Sequence, residues 1–189
     1  LIVALKNTIA LLAFFMLFYF CDFPFWNNEF TNSDYIKIII SGYLGMGLGD
    51  ILFIYALSQI GANRVAIINC FEPAVVYIFS IVILGTLLTT QQFVGFVIVI
   101  ISLLIITYEK DINDIDPYIK KRGLLLQICA VMLSSFGIVL IKPVLSKTNN
   151  IIHLQLWVTA FRLFPGFILA WIIFFLQKNP YSMLLPLKQ

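Results

Sequence analysis

Six apolar runs, each about as long as a bilayer is thick, fix what this chain can fold into. They cover residues 1–20, 35–57, 65–87, 92–108, 123–145 and 152–176. A helix of about 20 apolar residues crosses the ~30 Å hydrocarbon core. Every backbone N–H and C=O there must be satisfied within the segment, so helices are the default. A membrane barrel would instead show alternating segments of about ten residues, and runs such as FVGFVIVIISLLIITY do not alternate. The sequence therefore predicts an all-α, polytopic membrane helix bundle. Composition removes the soluble alternative: 61% of residues are hydrophobic and only 11% are charged, too few to coat a globular surface.

The connectors are short (SQIGANR, GTLLTTQQ, SKTNNI) apart from two longer polar ones, CDFPFWNNEFTNSD and EKDINDIDPYIKKR. Small residues mark the faces where helices meet. Ser41, Gly45 and Gly49 recur four residues apart, with Gly42 and Gly47 beside them, and such stripes let a neighbouring backbone approach closely. The glycines of GYLGMGLGD lie inside an apolar span without strand–turn–helix context, so they read as packing glycines and not as a phosphate loop. The net charge of +3 is small and dispersed, which excludes nucleic acid as a partner. Most basic residues stand at the ends of apolar runs, as membrane anchors do. Cys21, Cys70 and Cys129 are far apart and lack C-x-x-C spacing, so they read as buried apolar thiols and give neither a disulfide framework nor a metal site. No cofactor is implied.

Two carboxylates stand inside the spans: Asp50 in 35–57 and Glu72 in 65–87. A charge at the bilayer centre costs roughly 2.5–3.5 kcal/mol on insertion scales, and residues that bear it face a wet cavity, a partner or a substrate. Both are therefore expected to face the bundle interior. Pro73 cannot donate to the carbonyl of Asn69 four residues earlier. The Asn69 amide, that carbonyl and the Glu72 carboxylate then share a helix face, with Ser80 two turns further along. Asp50, Glu72, Asn69 and Ser80 are thus the candidate substrate- or proton-binding residues. Pro165 likewise frees the carbonyl of Phe161 beside Arg162. Lys6 and Arg162 are intramembrane cations suited to neutralising Asp50 and Glu72, since buried charges are normally paired. The bland reading of this set is an ion-pair network that only holds helices together. His153, at a helix start, reads as an interfacial anchor, and Trp157 as interface or core packing.

No catalytic set emerges: there is one His, no H-E-x-x-H and no G-x-S-x-G, so an enzyme is not expected. No filter motif suggests a channel. A transporter is the leading reading, and a structural or assembly subunit of a membrane complex is the rival. Replacing both carboxylates by amides separates them, because a structural subunit would keep its partners and a transporter would lose flux.

The first and last runs align as VAL-Lys6-NTIALLAFF over TAF-Arg162-LFPGFILAW, with one basic residue at the same place in each. This suggests a repeat of five spans. An odd number inverts successive copies, and inverted repeats with a site between them are a common transporter plan.

The stretch ALSQIGANRVAIINCFEPAVVYIFSIVILGTLLTTQQFVGFVIVIIS resembles the EamA-type drug/metabolite transporter superfamily, through Ala56-Leu57, Pro73, Leu84-Gly85, Gln92 and Gly95. GLLLQICAVMLSSFGIVLIKPVL resembles the helix that opens a repeat, and Lys6 and Arg162 match the basic residue of the second helix. The resemblance implies a ten-helix inverted-repeat transporter of small metabolites or drugs, of which this chain carries six helices. Residues 1–109 would be the first repeat without its first helix, 110–122 the inter-repeat loop, and 123–189 the first two helices of the second repeat. The start at LIVALKNTIA without Met and the end at LPLKQ are read as cuts in a longer protein. The family often carries Glu after the Leu-Gly pair, where this chain has Thr86. No nucleotide-hydrolysing part is visible, so the expected mechanism is secondary active, by ion coupling or exchange with alternating access. The lipid bilayer and a small-molecule substrate are the expected partners, a homodimer is left open, and the expected location is the bacterial inner membrane. Orientation divides the two arguments: the family plan puts EKDINDIDPYIKKR outside, while the Lys/Arg count, with Lys110, Lys120, Lys121, Arg122, Arg64, Lys178 and Lys188 on that side, puts it in the cytoplasm.

Overall fold

A computed structural model describes residues 1–24, 30–86, 89–107, 116–148 and 151–176, and among these every regular element is a helix. The helices are α1 (Ile2–Phe20), α2 (Asn32–Ile60), α3 (Ala62–Leu84), α4 (Thr90–Thr107), α5 (Pro117–Lys147) and α6 (Ile152–Leu176). Five of them, α1, α2, α3, α5 and α6, are long and apolar enough to cross a membrane. In α4 the stretch Thr90–Ser102 is a shorter apolar helix, and the run expected there ends at Tyr108, outside the described residues. Half of the loop EKDINDIDPYIKKR and the tail bearing Lys178 and Lys188, on which the orientation argument turns, also lie outside them.

Local chemistry sets the ends. α2 opens on a capping box, in which the Thr31 N–H and hydroxyl both donate to Asp34 Oδ2, at 3.0 and 2.8 Å, and the Asp34 N–H returns to the Thr31 carbonyl at 2.9 Å. Gly61, at φ +80°, turns α2 into α3, a conformation that a side chain would disfavour. Gly85, at φ +64°, closes α3, and the Thr86 N–H reaches back to the Ser80 carbonyl at 3.4 Å.

Two helices depart from regularity where the sequence is unusual. In α2 the segment Gly42–Gly49 is a π-helix between α-helical Asn32–Ser41 and Asp50–Ile60. Its hydrogen bonds run i→i+5, so its turns are wider than those of an α-helix. Ser41, Gly45 and Gly49 are buried, and Gly42 and Gly47 beside them are set against Arg162 and Leu169 of α6. In α3 the α-helix stops at Asn69 and restarts at Glu72. Pro73 thus lies in the first turn of a new helix, where its missing N–H costs nothing, and does not kink a continuous one as expected.

The chain divides into two compact units: Leu1–Leu48 with Leu140–Gln189, and Gly49–Val139. In the first, α1 runs antiparallel to α6, since Thr8 meets Trp171 at one end and Phe14 and Phe18 meet Phe161 and Ala160 at the other. The first half of α2 runs parallel to α6: Tyr35 packs on Trp157, Gly42 on Arg162 and Gly47 on Leu169. The core of this unit gathers Phe18, Ile38, Ile141, Val144, Trp157 and Val158. Trp157 is sandwiched between Phe30 (centroids 5.1 Å apart) and Phe161 (4.0 Å). His153 lies against Phe23 with ring centroids 5.8 Å apart.

In the second unit Ala56, Ile60 and Val65 form a core around the Gly61 turn, joined by Leu124 and Leu126 of α5. A side chain at Gly123 would collide with Ile60. α3 and α5 lie side by side in parallel, as Asn69 pairs with Gln127 and Phe79 packs edge-on against Phe136. The thiols correct one expectation. All three are free, but only Cys70 and Cys129 are half-buried, and Cys21, just past the end of α1, is exposed.

Candidate functional site

The second unit places a polar node on the α3–α5 seam. Gln127 is the one uncharged amide in the apolar run of α5 and is fully buried. Its Nε2 donates to Asn69 Oδ1 at 2.6 Å, while its Oε1 is buried without a hydrogen-bond partner among the described residues. Between Asn69 and Glu72 the backbone passes through Cys70 (φ −63°, ψ −18°) and Phe71 (φ −81°, ψ −6°), and the Phe71 N–H bonds to the Ile68 carbonyl three residues back at 3.0 Å. This is a 3₁₀-like turn, in which residues three apart eclipse one another. Glu72, three residues on, therefore lies on the same side of α3 as Asn69. It is half-buried, and among the described residues no hydrogen bond or ion pair reaches its carboxylate. As the first residue of the new helix it occupies the positive end of that helix's dipole, which favours negative charge there.

The remaining expected residues fall elsewhere. Asp50 is half-buried at the junction where π geometry returns to α, so the wide turn sets the direction of its side chain. Ser80 is buried, but its hydroxyl lies 2.7 Å from Thr86 Oγ1, and Thr86 also donates to the Ser80 carbonyl at 3.2 Å. It serves the cap that ends α3, two turns away from Asn69 and Glu72. Lys6 and Arg162 lie in the first unit, Asp50 and Glu72 in the second. Lys6 is exposed. Arg162 is half-buried, with its backbone carbonyl pressed against Gly42.

The first unit holds polar groups that sequence reasoning passed over. Asn7, beside Lys6, is fully buried, and its Nδ2 donates to the Met46 carbonyl of the π-helix at 3.4 Å, leaving Oδ1 without a partner among the described residues. Thr8 accepts from Trp171 Nε1 at 3.0 Å and donates to the Ala4 carbonyl at 2.7 Å. Asp34 is 1% exposed, and both its oxygens accept from Lys147 Nζ, at 2.9 and 2.7 Å. An amide inside an apolar run was a readable signal for Gln127 and Asn7. The Asp34–Lys147 pair joins residues 113 apart and left none. Among the described residues no cluster of His, Cys, Asp and Glu could hold a metal.

Spanning helices with buried amides and an uncompensated carboxylate describe a membrane protein with a polar interior. A family model, the EamA-like transporter family, matches residues 1–108. The chain belongs to the EamA-like transporter family. No curated protein and no solved structure matches it. This EamA-like chain is an integral membrane protein of the drug/metabolite transporter type, and the family is not one of enzymes. The match covers α1 to α4 and therefore Asn69 and Glu72, whereas Gln127 on α5 lies beyond it.

Proposed function

We propose that this EamA-like chain is the greater part of a secondary active transporter, moving a small metabolite or drug by alternating access. Glu72 and Asn69 are the residues we assign to binding the substrate or a coupled proton, with Asp50 as a second carboxylate. The observation that carries the reading is the Glu72 carboxylate, set at a helix start in a membrane span with no partner among the described residues. A carboxylate that served only to hold helices together would be paired, because an unpaired membrane charge is expensive. Alternating access fits the antiparallel packing of α1 on α6, the directions required of corresponding helices in an inverted ten-helix repeat. In that plan residues 1–109 belong to the first repeat and 123–189 begin the second. Lys6 and Arg162 are assigned to balancing charge within the membrane. A bacterial inner membrane suits such a protein.

The test is uptake into proteoliposomes across a metabolite and drug panel. Glu72→Gln should abolish uptake, by at least tenfold, while expression and monodispersity in detergent stay unchanged. Normal uptake by that variant would reduce Glu72 to a helix-start residue and sink the reading.

A further inference from the structure

The node at the α3–α5 seam also narrows the chemistry of the substrate. We propose that Gln127 completes the site begun by Asn69 and Glu72, and that this site takes an amine-bearing small molecule whose ammonium group supplies the countercharge that Glu72 lacks among the described residues. The proposal rests on the functional reading above and extends it to a residue outside the segment matched to the family.

Three observations converge. First, the Asn69–Gln127 bond at 2.6 Å uses one donor and one acceptor and, among the described residues, leaves the Gln127 oxygen and the Asn69 NH₂ uncommitted. Turning the amides over exchanges their roles but leaves the same inventory of one oxygen and one NH₂. Second, Gln127 is fully buried, so its spare oxygen has no water to turn to. A buried acceptor without a donor costs about 1–3 kcal/mol, and an incoming N–H group recovers that cost. Third, Glu72 follows Asn69 by three residues across the 3₁₀-like turn, a spacing that puts its carboxylate on the same side of α3. A carboxylate and an amide oxygen on one helix seam offer two acceptors to an ammonium group with three donors. An anionic substrate would meet repulsion from Glu72. A neutral alcohol would satisfy one acceptor and leave the charge uncompensated.

Binding is measured on the purified protein in detergent with phenethylamine, tyramine, n-butylamine and putrescine, each against the alcohol of the same skeleton. At least one amine should bind tenfold or more tightly than its alcohol. Gln127→Met, similar in volume, should weaken that amine at least tenfold and leave the alcohol unchanged. Gln127→Glu keeps an acceptor facing the site and can still accept from the Asn69 amide, so it should retain or strengthen amine binding. If Gln127→Met does not fold, Gln127→Glu decides alone: loss of amine binding there overturns the proposal. No amine exceeding its alcohol would also overturn it, as would equal loss in both Gln127 variants. Uptake separates this from the wider reading. Transport that is lost in Glu72→Gln without any amine preference removes only the amine assignment, whereas transport that survives Glu72→Gln removes the functional reading itself.

Discussion

Lys147→Met should destabilise the protein much more than Asp34→Asn, although both remove the same ion pair. The asymmetry follows from where the two groups lie. Asp34 is 1% exposed, while the Lys147 side chain is half in the open. Without Lys147 the carboxylate stays buried and keeps only the two bonds from Thr31. Without the Asp34 charge the ammonium swings back to water, and an asparagine oxygen still accepts from Thr31. Removing one partner of a fully buried pair costs about 3–5 kcal/mol. The remaining capping box and the exposed lysine reduce this to about 2–3 kcal/mol for Lys147→Met. Asp34→Asn should cost about 1 kcal/mol or less, as for a pair with one exposed member. Unfolding titrations in mixed micelles on both single variants and the double variant give the two costs and their coupling. Equal costs, or a larger cost for Asp34→Asn, would refute the claim that the penalty sits on the buried carboxylate.

Two further outcomes follow from the glycines and prolines. Gly42→Ala should destabilise by about 3 kcal/mol or more, beyond Gly166→Ala, because its Cβ would strike the Arg162 carbonyl whereas that of Gly166 lies 3.0 Å from Met46; equal melting temperatures for the two variants would contradict the packing. Pro73→Ala should change stability by under about 1 kcal/mol, since the proline stands in a first helical turn and not in a helix interior; a drop in melting temperature as large as that of Gly42→Ala would argue against the break at Cys70–Phe71.

The spans were legible because bilayer thickness imposes a length on apolar runs, and 152–176 coincides with α6 end for end. The departures came from backbone geometry that hydropathy does not encode. Nothing in GYLGMGLG distinguishes a π-helix from a glycine-rich α-helix, so the small residues could be read as a contact face but the wider turn that carries them could not. Pro73 was visible as a helix irregularity, but whether a proline bends or begins a helix depends on the residues before it. Of the candidate site, Asn69 and Glu72 were grouped on one helix face through the carbonyl that Pro73 cannot reach. Gln127 was not joined to them, because a partner 58 residues away is chosen by packing. Ser80 matched the helical period but was claimed by Thr86, a competition that only the end of α3 reveals.

The notch formed by Gly42, Gly47 and Gly166 has a mechanical consequence. Where two helices touch through backbone atoms, neither can slide along the other by one residue without driving a Cβ into a carbonyl. Ser41 and Tyr43 flank Gly42 and bear the side chains that such a step would bring against Arg162. The first half of α2 and α6 are thereby keyed together, and they must travel as one rigid strut. Whatever flexing accompanies the working cycle is displaced to the ends of that strut.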